Sequence, residues 1–191
     1  MSKNKIRCGW VNDEQIYIDY HDQEWGKPLY DDEKLFELLI LEGMQAGLSW
    51  ITVLKKRDNY RLAFDGFDAE KIARYNQKKF DSLLTNPGII RNRLKIKAII
   101  TNAQAYLDIK KEWPSFAEYL WQFVDGKTRQ NNWESIKNVP ATSLDSDEMS
   151  KDLKKRGFKF VGSTICYAFM QAAGLINDHT IDCFRHRQVI L

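Results

Sequence analysis

The sequence predicts an all-α fold on three observations. Apolar residues recur at three- and four-residue steps, residues of helix-capping type stand ahead of those runs, and no strict apolar–polar alternation lasts more than a few residues. Asp31 or Asp32 can cap a first helix through Leu35, Phe36, Leu38, Leu39, Ile40 and Leu41. Its apolar positions are crowded enough for a buried helix, ending near Gly43 or Gly47. Ser49 can cap the next, which carries Trp50, Val53, Leu54, Arg57, Tyr60 and Phe64 at helical spacing. Residues 68–75 and 77–84 read as two short helices, and residues 90–111 as a long one with Ile96, Ile99, Ile100, Ala103 and Leu107 on its apolar face. Ser115-Phe116-Ala117-Glu118 has the form of a capping box, so a helix should run from there through Phe123. Residues 125–145 are polar, contain Pro140 and read as loop; helices over 148–156 and 163–174 complete the set. The first thirty residues differ in kind. Trp10, Tyr17, Tyr20, Trp25 and Tyr30 stand among charges with little aliphatic company, which suits a binding surface better than a helix core.

With 191 residues, 43% hydrophobic and 29% charged, the chain has the balance of one soluble globular domain spanning 1–191. Its helical core should occupy about 31–175, with terminal segments of about 7–26 and 176–186. No stretch approaches the ~20 apolar residues of a membrane span, and the first residues are not followed by an apolar signal core, so a cytoplasmic protein is expected. The formal net charge of +3 is too small to identify a nucleic-acid partner. Its distribution says more. Residues 86–107 contain no Asp or Glu, while Arg91, Arg93, Lys95 and Lys97 fall together, and Lys151, Lys154, Lys155, Arg156 and Lys159 form a second cluster. Each is compatible with a solvated helix face or with a phosphate-binding surface.

Cys8 and His21 near one end, and His179 and Cys183 in an H-x3-C arrangement near the other, make a Cys2His2 set. Such a set suits tetrahedral Zn2+ in a structural role, because no ligand position is left for water. The other reading is two buried thiols with two imidazoles, and His186 could compete as a ligand. The H-x3-C spacing puts both ligands on one face of a helical turn. A metal here would tie the chain ends together, and loop-closure entropy allows a stabilisation of ~4 kcal/mol. Cys166, among apolar neighbours, reads as a core thiol. Asn86-Pro87-Gly88-Ile89-Ile90-Arg91 looks like a helix-hairpin-helix turn with one of the two usual glycines. The amides of Gly88, Ile89 and Ile90 would there face a DNA phosphate, with Arg91, Arg93 and Lys95 adding sequence-blind affinity; an ordinary helical turn is the alternative. Glu42 ends an apolar helix, either as an exposed end residue or as a carboxylate held against apolar walls. Ring faces with a single carboxylate form a pocket for a flat, cationic, hydrogen-bonding ligand.

Five blocks of the sequence resemble the bacterial 3-methyladenine DNA glycosylases of the constitutive type I. They are Cys8-Gly9-Trp10, the stretch from Tyr20-His21-Asp22 to Gly26, the stretch from Leu41-Glu42-Gly43 to Trp50, the stretch from Lys154-Lys155-Arg156 to Gly162, and Asn177-Asp178-His179. The resemblance runs from about Arg7 to Cys183. It implies an all-α helix-hairpin-helix glycosylase fold with one structural Zn2+ joining the terminal segments through Cys8, His21, His179 and Cys183. It also implies Glu42 as the catalytic carboxylate that reads the base, and Trp10, Tyr17, Tyr20, Trp25 and Trp50 as the aromatic walls. The substrate would be double-stranded alkylated DNA, the product free 3-methyladenine, and the protein a monomer. A base in duplex must be turned out of the stack to be reached. Methylation at N3 leaves adenine cationic with a weakened glycosidic bond, so rings that attract a cation and an acceptor at Glu42 would select it. The wider superfamily's catalytic Asp falls near Asp108, which looks mid-helix, and this family is not known to use it. Asn92 stands where bifunctional relatives carry a nucleophilic lysine, so strand cleavage is not expected. A catalytically silent DNA-binding module and a zinc hydrolase are the competing classes. The first has no reason for a carboxylate among aromatic rings, and the second needs an open metal position.

Overall fold

The structure is a computed structural model that describes residues 5–189; residues 1–4 and 190–191, the outermost parts of the expected domain, lie outside it. Ten α-helices are present among the described residues. Helix α1 (Gln15–Gln23) turns Tyr20 and His21 inward, so the N-terminal aromatics expected to form a surface are partly helical and partly core. Helix α2 (Asp32–Gln45) starts where the sequence places it, with the Asp31 carboxylate accepting from the Lys34 amide and Asp32 and Glu33 opposing the helix dipole. Leu35, Phe36, Leu39, Ile40, Leu41 and Met44 are all buried, which makes α2 the central helix of the core. The helix expected from Trp50 to Phe64 is two, α3 (Trp50–Leu54) and α4 (Arg57–Ala63). The break falls at Lys55 and Lys56, and Trp50 and Tyr60 on either side of it are both buried. Asp65, Gly66 and Phe67 follow, each with positive φ.

Asp68 caps α5 (Ala69–Ala73), and Asn76 caps α6 (Gln77–Thr85). Helix α7 (Arg93–Glu112) begins after residue 90 because the Asn92 side chain accepts from the Lys95 amide and so sets its first turn. Ser115 caps α8 (Phe116–Trp121) through the Glu118 amide. Helix α9 (Leu144–Lys155) starts four residues earlier than expected, because Ser143, inside the segment read as loop, forms a reciprocal capping box with Ser146. Helix α10 (Ser163–Ala172) packs against α9 and α2. Two short strands were not expected: β1 (Arg129–Gln130) pairs parallel with β2 (Ile176–Asn177). They bring the polar 125–145 segment against the C-terminal part of the chain. No helix among the described residues is long and apolar enough to cross a membrane.

Candidate active site and metal centre

Trp10, Tyr17, Tyr20, Trp25, Glu42 and Trp50 all line one cavity of about 150 Å³. Helix α1 delivers Tyr17 and Tyr20, the flanking turns Trp10 and Trp25, α2 Glu42, and the first residue of α3 Trp50. Trp10 packs edge-on against Tyr17 at 5.0 Å and Trp25 at 5.1 Å, and Tyr20 lies 5.3 Å from Trp50, so the walls hold one another. The cavity is well below the ~300–1,000 Å³ of sites for drug-sized ligands, and so suits one flat ring system. Glu42 is 3% exposed, and burial raises its carboxyl to about 8. Its Oε2 and the Trp50 indole nitrogen are buried with no hydrogen-bond partner. Burial raises the Tyr17 and Tyr20 phenols, so both stay neutral. The bland alternative for Glu42, an exposed helix end, does not hold.

Residues beyond the expected set complete the cavity. Gln45 comes from α2, Ala168 and Gln171 from α10, Ile136 from the polar segment, and Asp178 from just after β2. Asp178 is 1% exposed and accepts hydrogen bonds from the side chains of Asn131, Trp133, Tyr167 and Gln171. These bonds pin the loop after β1 to α10. The polar character of residues 125–145 concealed this role, since only tertiary contact puts Ile136 on a cavity wall.

Behind the aromatic wall, Cys8, His21, His179 and Cys183 are all buried with one ligand atom each inside a 4.8 Å span, and so could hold a metal ion. The Cys8 sulfur is 3.4 Å from His179 Nδ1, and the Cys183 sulfur is 3.4 Å from His21 Nε2 and 3.5 Å from His179 Nδ1. Tetrahedral bonds of ~2.3 Å to sulfur and ~2.0 Å to nitrogen correspond to S···N edges of ~3.5 Å, so the residues fit a zinc-sized ion. The outer nitrogens are spoken for: His21 Nδ1 by Asp22 at 2.8 Å and His179 Nε2 by the Trp25 carbonyl at 3.2 Å. Such partners fix ring orientation at metal sites. Burial would raise Asp22, but hydrogen bonds from Arg7 and His21 lower it to about 2. His179 and Cys183 sit on a non-helical turn, closed by a bond from the Cys183 amide to the Thr180 carbonyl, rather than on an α-helix. His186 is not a member of the cluster; its Nε2 lies 3.0 Å from the Asn131 carbonyl. Cys166 is buried in the core, as expected.

The expected DNA-facing residues divide. Arg91 and Arg93 are exposed, but Ile89 is 3% exposed and packs into the core. The amides expected to face a phosphate are engaged within the protein. That of Gly88 donates to the Asn86 side chain and that of Ile90 to the Tyr60 hydroxyl. Lys95 is 5% exposed, and its ammonium donates to the carbonyls of Met44 and Ala46, so it is not a surface phosphate contact. Charge patterning along α7 could not separate this inward lysine from its outward neighbours. A second hairpin, residues 156–162 between α9 and α10, has Gly157 at φ +96° and an exposed Lys159, and exposed Lys154 and Lys155 end α9 just before it. Gly162 precedes α10 without a side-chain cap, which leaves that helix N-terminus to other acceptors. Asp108 is exposed on α7, bonded to Lys111 and away from the cavity.

A methyladenine glycosylase family profile matches residues 10–186. The curated DNA-3-methyladenine glycosylase 1 of Escherichia coli (strain K12) is 52% identical over 177 residues, covering 93% of this chain and 95% of that protein. A crystal structure of 3-methyladenine DNA glycosylase I superposes with a TM-score of 0.92 at 54% identity, over 94% of this chain and 98% of that one. A single-residue variant of 3-methyladenine DNA glycosylase I, in complex with 3-methyladenine, superposes with a TM-score of 0.91 at 40% identity, over 93% and 96% of the two chains.

Proposed function

Because the chain belongs to the methyladenine glycosylase family and is by that membership a DNA-3-methyladenine glycosylase, we propose how it works: the alkylated base turns out of duplex DNA into the cavity around Glu42, where water replaces it on the sugar. The observation that carries this reading is a carboxylate oxygen buried without a partner among aromatic rings. Leaving such an acceptor unsatisfied costs about 1–3 kcal/mol, which a ligand offering N–H donors would recover. A damaged base is the cheapest to unstack, and the aromatic faces stack on it once it is out. As the glycosidic bond breaks, its electron pair leaves with the base, which departs neutral; the positive charge passes to the sugar, and the water that adds there gives up a proton to solvent. No lysine lines that pocket among the described residues, and Asn92 spends its side chain capping α7. Release without strand cleavage follows.

Cys8 Sγ, His21 Nε2, His179 Nδ1 and Cys183 Sγ would hold Zn2+. With four protein ligands the ion supplies cross-linking between the terminal segments and no reaction chemistry. Arg91, Arg93 and the hairpin lysines form the backbone-binding surface, and one chain acting as a monomer and as a single domain suffices for all of these parts. Replacing Lys155 or Lys159 by Ala is expected to weaken duplex binding alike for all sequences and to reduce the log–log salt slope by about 1 each; an unchanged slope would remove the hairpin from the interface. The function itself is tested by incubating the protein with methylated duplex DNA and identifying the free bases by chromatography. Absence of free 3-methyladenine would overturn it.

A further inference from the structure

Two polar side chains of α7 have no part in the site described so far, yet both are buried: Lys95 is 5% and Asn102 4% exposed. Seven residues apart, just under two turns, they share one face of the helix. Each grips main chain of a different element. The Lys95 ammonium donates to the carbonyls of Met44 and Ala46, both at 2.7 Å, and so closes the end of α2 just beyond Glu42 and Gln45. Helix α2 has no basic residue of its own in its last turn, so Lys95 supplies from α7 the cation that end favours. Asn102 holds the hairpin: its Nδ2 donates to the Lys159 carbonyl at 3.0 Å and its Oδ1 accepts from the Lys159 amide at 2.7 Å. The next residue, Phe160, has φ +56°. Its Cβ and carbonyl approach Gly43 of α2 so closely that a Cβ added at Gly43 would lie 3.3 Å from both.

One helix face therefore holds both the helix end that carries the pocket carboxylate and the loop that offers lysines to DNA. Burying an ammonium carries a desolvation cost that an apolar side chain at the same place would avoid. Base capture gives such an arrangement a use. A phosphate gripped by the hairpin and a base received by the pocket belong to one nucleotide strand, so the two protein parts must keep a fixed separation. We propose that Lys95 and Asn102 are positioning residues that set the DNA-gripping hairpin in register with the base pocket. The proposal rests on the base-release reading above and adds to it which residues hold the two halves of the site together.

The experiment compares K95M and N102A with the parent protein in two assays: single-turnover release of 3-methyladenine from methylated duplex, and binding of free 3-methyladenine followed by tryptophan fluorescence. Release should fall by at least about tenfold, since a misplacement of ~1 Å costs up to ~100-fold. Affinity for the free base should change less than about twofold, because neither residue touches the cavity. K95R, which keeps donors for two carbonyls, should recover most of the loss. A general structural defect would instead lower both measurements together and be indifferent to the donor at position 95. If K95M or N102A does not fold, N102D carries the comparison, since it keeps the bond from the Lys159 amide and loses the one to the Lys159 carbonyl. Parent-like release, or equal losses in both assays, overturns the proposal. If the parent itself releases no base, the base-release reading fails instead.

Discussion

Replacing Glu42 by Gln is expected to slow 3-methyladenine release by about 10- to 100-fold, and at the same time to make the ligand-free protein more stable above pH 4.5. Both effects come from one fact, that the Glu42 carboxyl is buried with an oxygen left unpaired. Hydrogen bonds to a buried charged group are worth ~1.5–3 kcal/mol, and about 1.4 kcal/mol is tenfold in rate. The empty pocket keeps Glu42 protonated up to about pH 8, but a cationic base entering it favours the ionised carboxylate, whose charge and second acceptor glutamine lacks. For stability, burial raises the carboxyl from 4.5 to about 8. Below pH 4.5 it is protonated in both folded and unfolded chains and makes no difference. As pH rises from 4.5 to 8 the unfolded chain ionises while the folded one keeps its proton, so stability falls by up to about 1.4 kcal/mol per unit. Above pH 8 the loss is complete, up to about 5 kcal/mol, and the Glu42→Gln variant, with nothing to ionise there, escapes it. Denaturant titrations of both proteins at pH 4, 7 and 9 should therefore coincide at pH 4 and diverge progressively above it. Equal stability at all three values would mean that Glu42 is solvated, and unchanged release would remove it from base reading.

Loss of the proposed Zn2+ is the second large effect expected. Cys8→Ser or His179→Ala should leave the purified protein without zinc and lower its stability by about 4 kcal/mol, the loop-closure term for a tie between the chain ends. For a domain of this size that is a drop in melting temperature of roughly 10–15 °C. The pocket should loosen with it, because the two candidate ligand imidazoles are also its backing. The His21 ring packs 5.3 Å from Trp10, and the His179 ring 4.6 Å from Trp25. Free-base affinity should fall in the metal-free variants, whereas a tie remote from the pocket would leave it intact. Elemental analysis is the decisive measurement: native protein with no stoichiometric metal would remove the site.

The parts legible in the sequence are those whose signal is local. Asp31 and Ser115 cap helices through amides three residues on, so residue type and position suffice, whereas the Asn92 cap was not read and the start of α7 was placed too early. The crowding of Leu35, Phe36, Leu39 and Ile40 announces a buried helix for a similar reason. Cysteine and imidazole are specific enough as ligand chemistry for the four candidate metal ligands to be recognised across most of the chain. Helix α1 was missed because its inward residues are Tyr20 and His21, which mark no aliphatic stripe. The first turn of α9 was missed because its capping box pairs two serines rather than serine and glutamate.

The sequence by itself determined the helical class, the main helix starts, the Cys and His set and the family to which the chain belongs. Tertiary structure alone decided that Lys95 lies under the end of α2 while Lys159 faces outward, that Ile136 and Asp178 reach the cavity, and that burial raises Glu42. The physical reason is range. Capping and periodicity act within a turn of helix, whereas desolvation and the satisfaction of a buried ammonium depend on which distant segments arrive beside it.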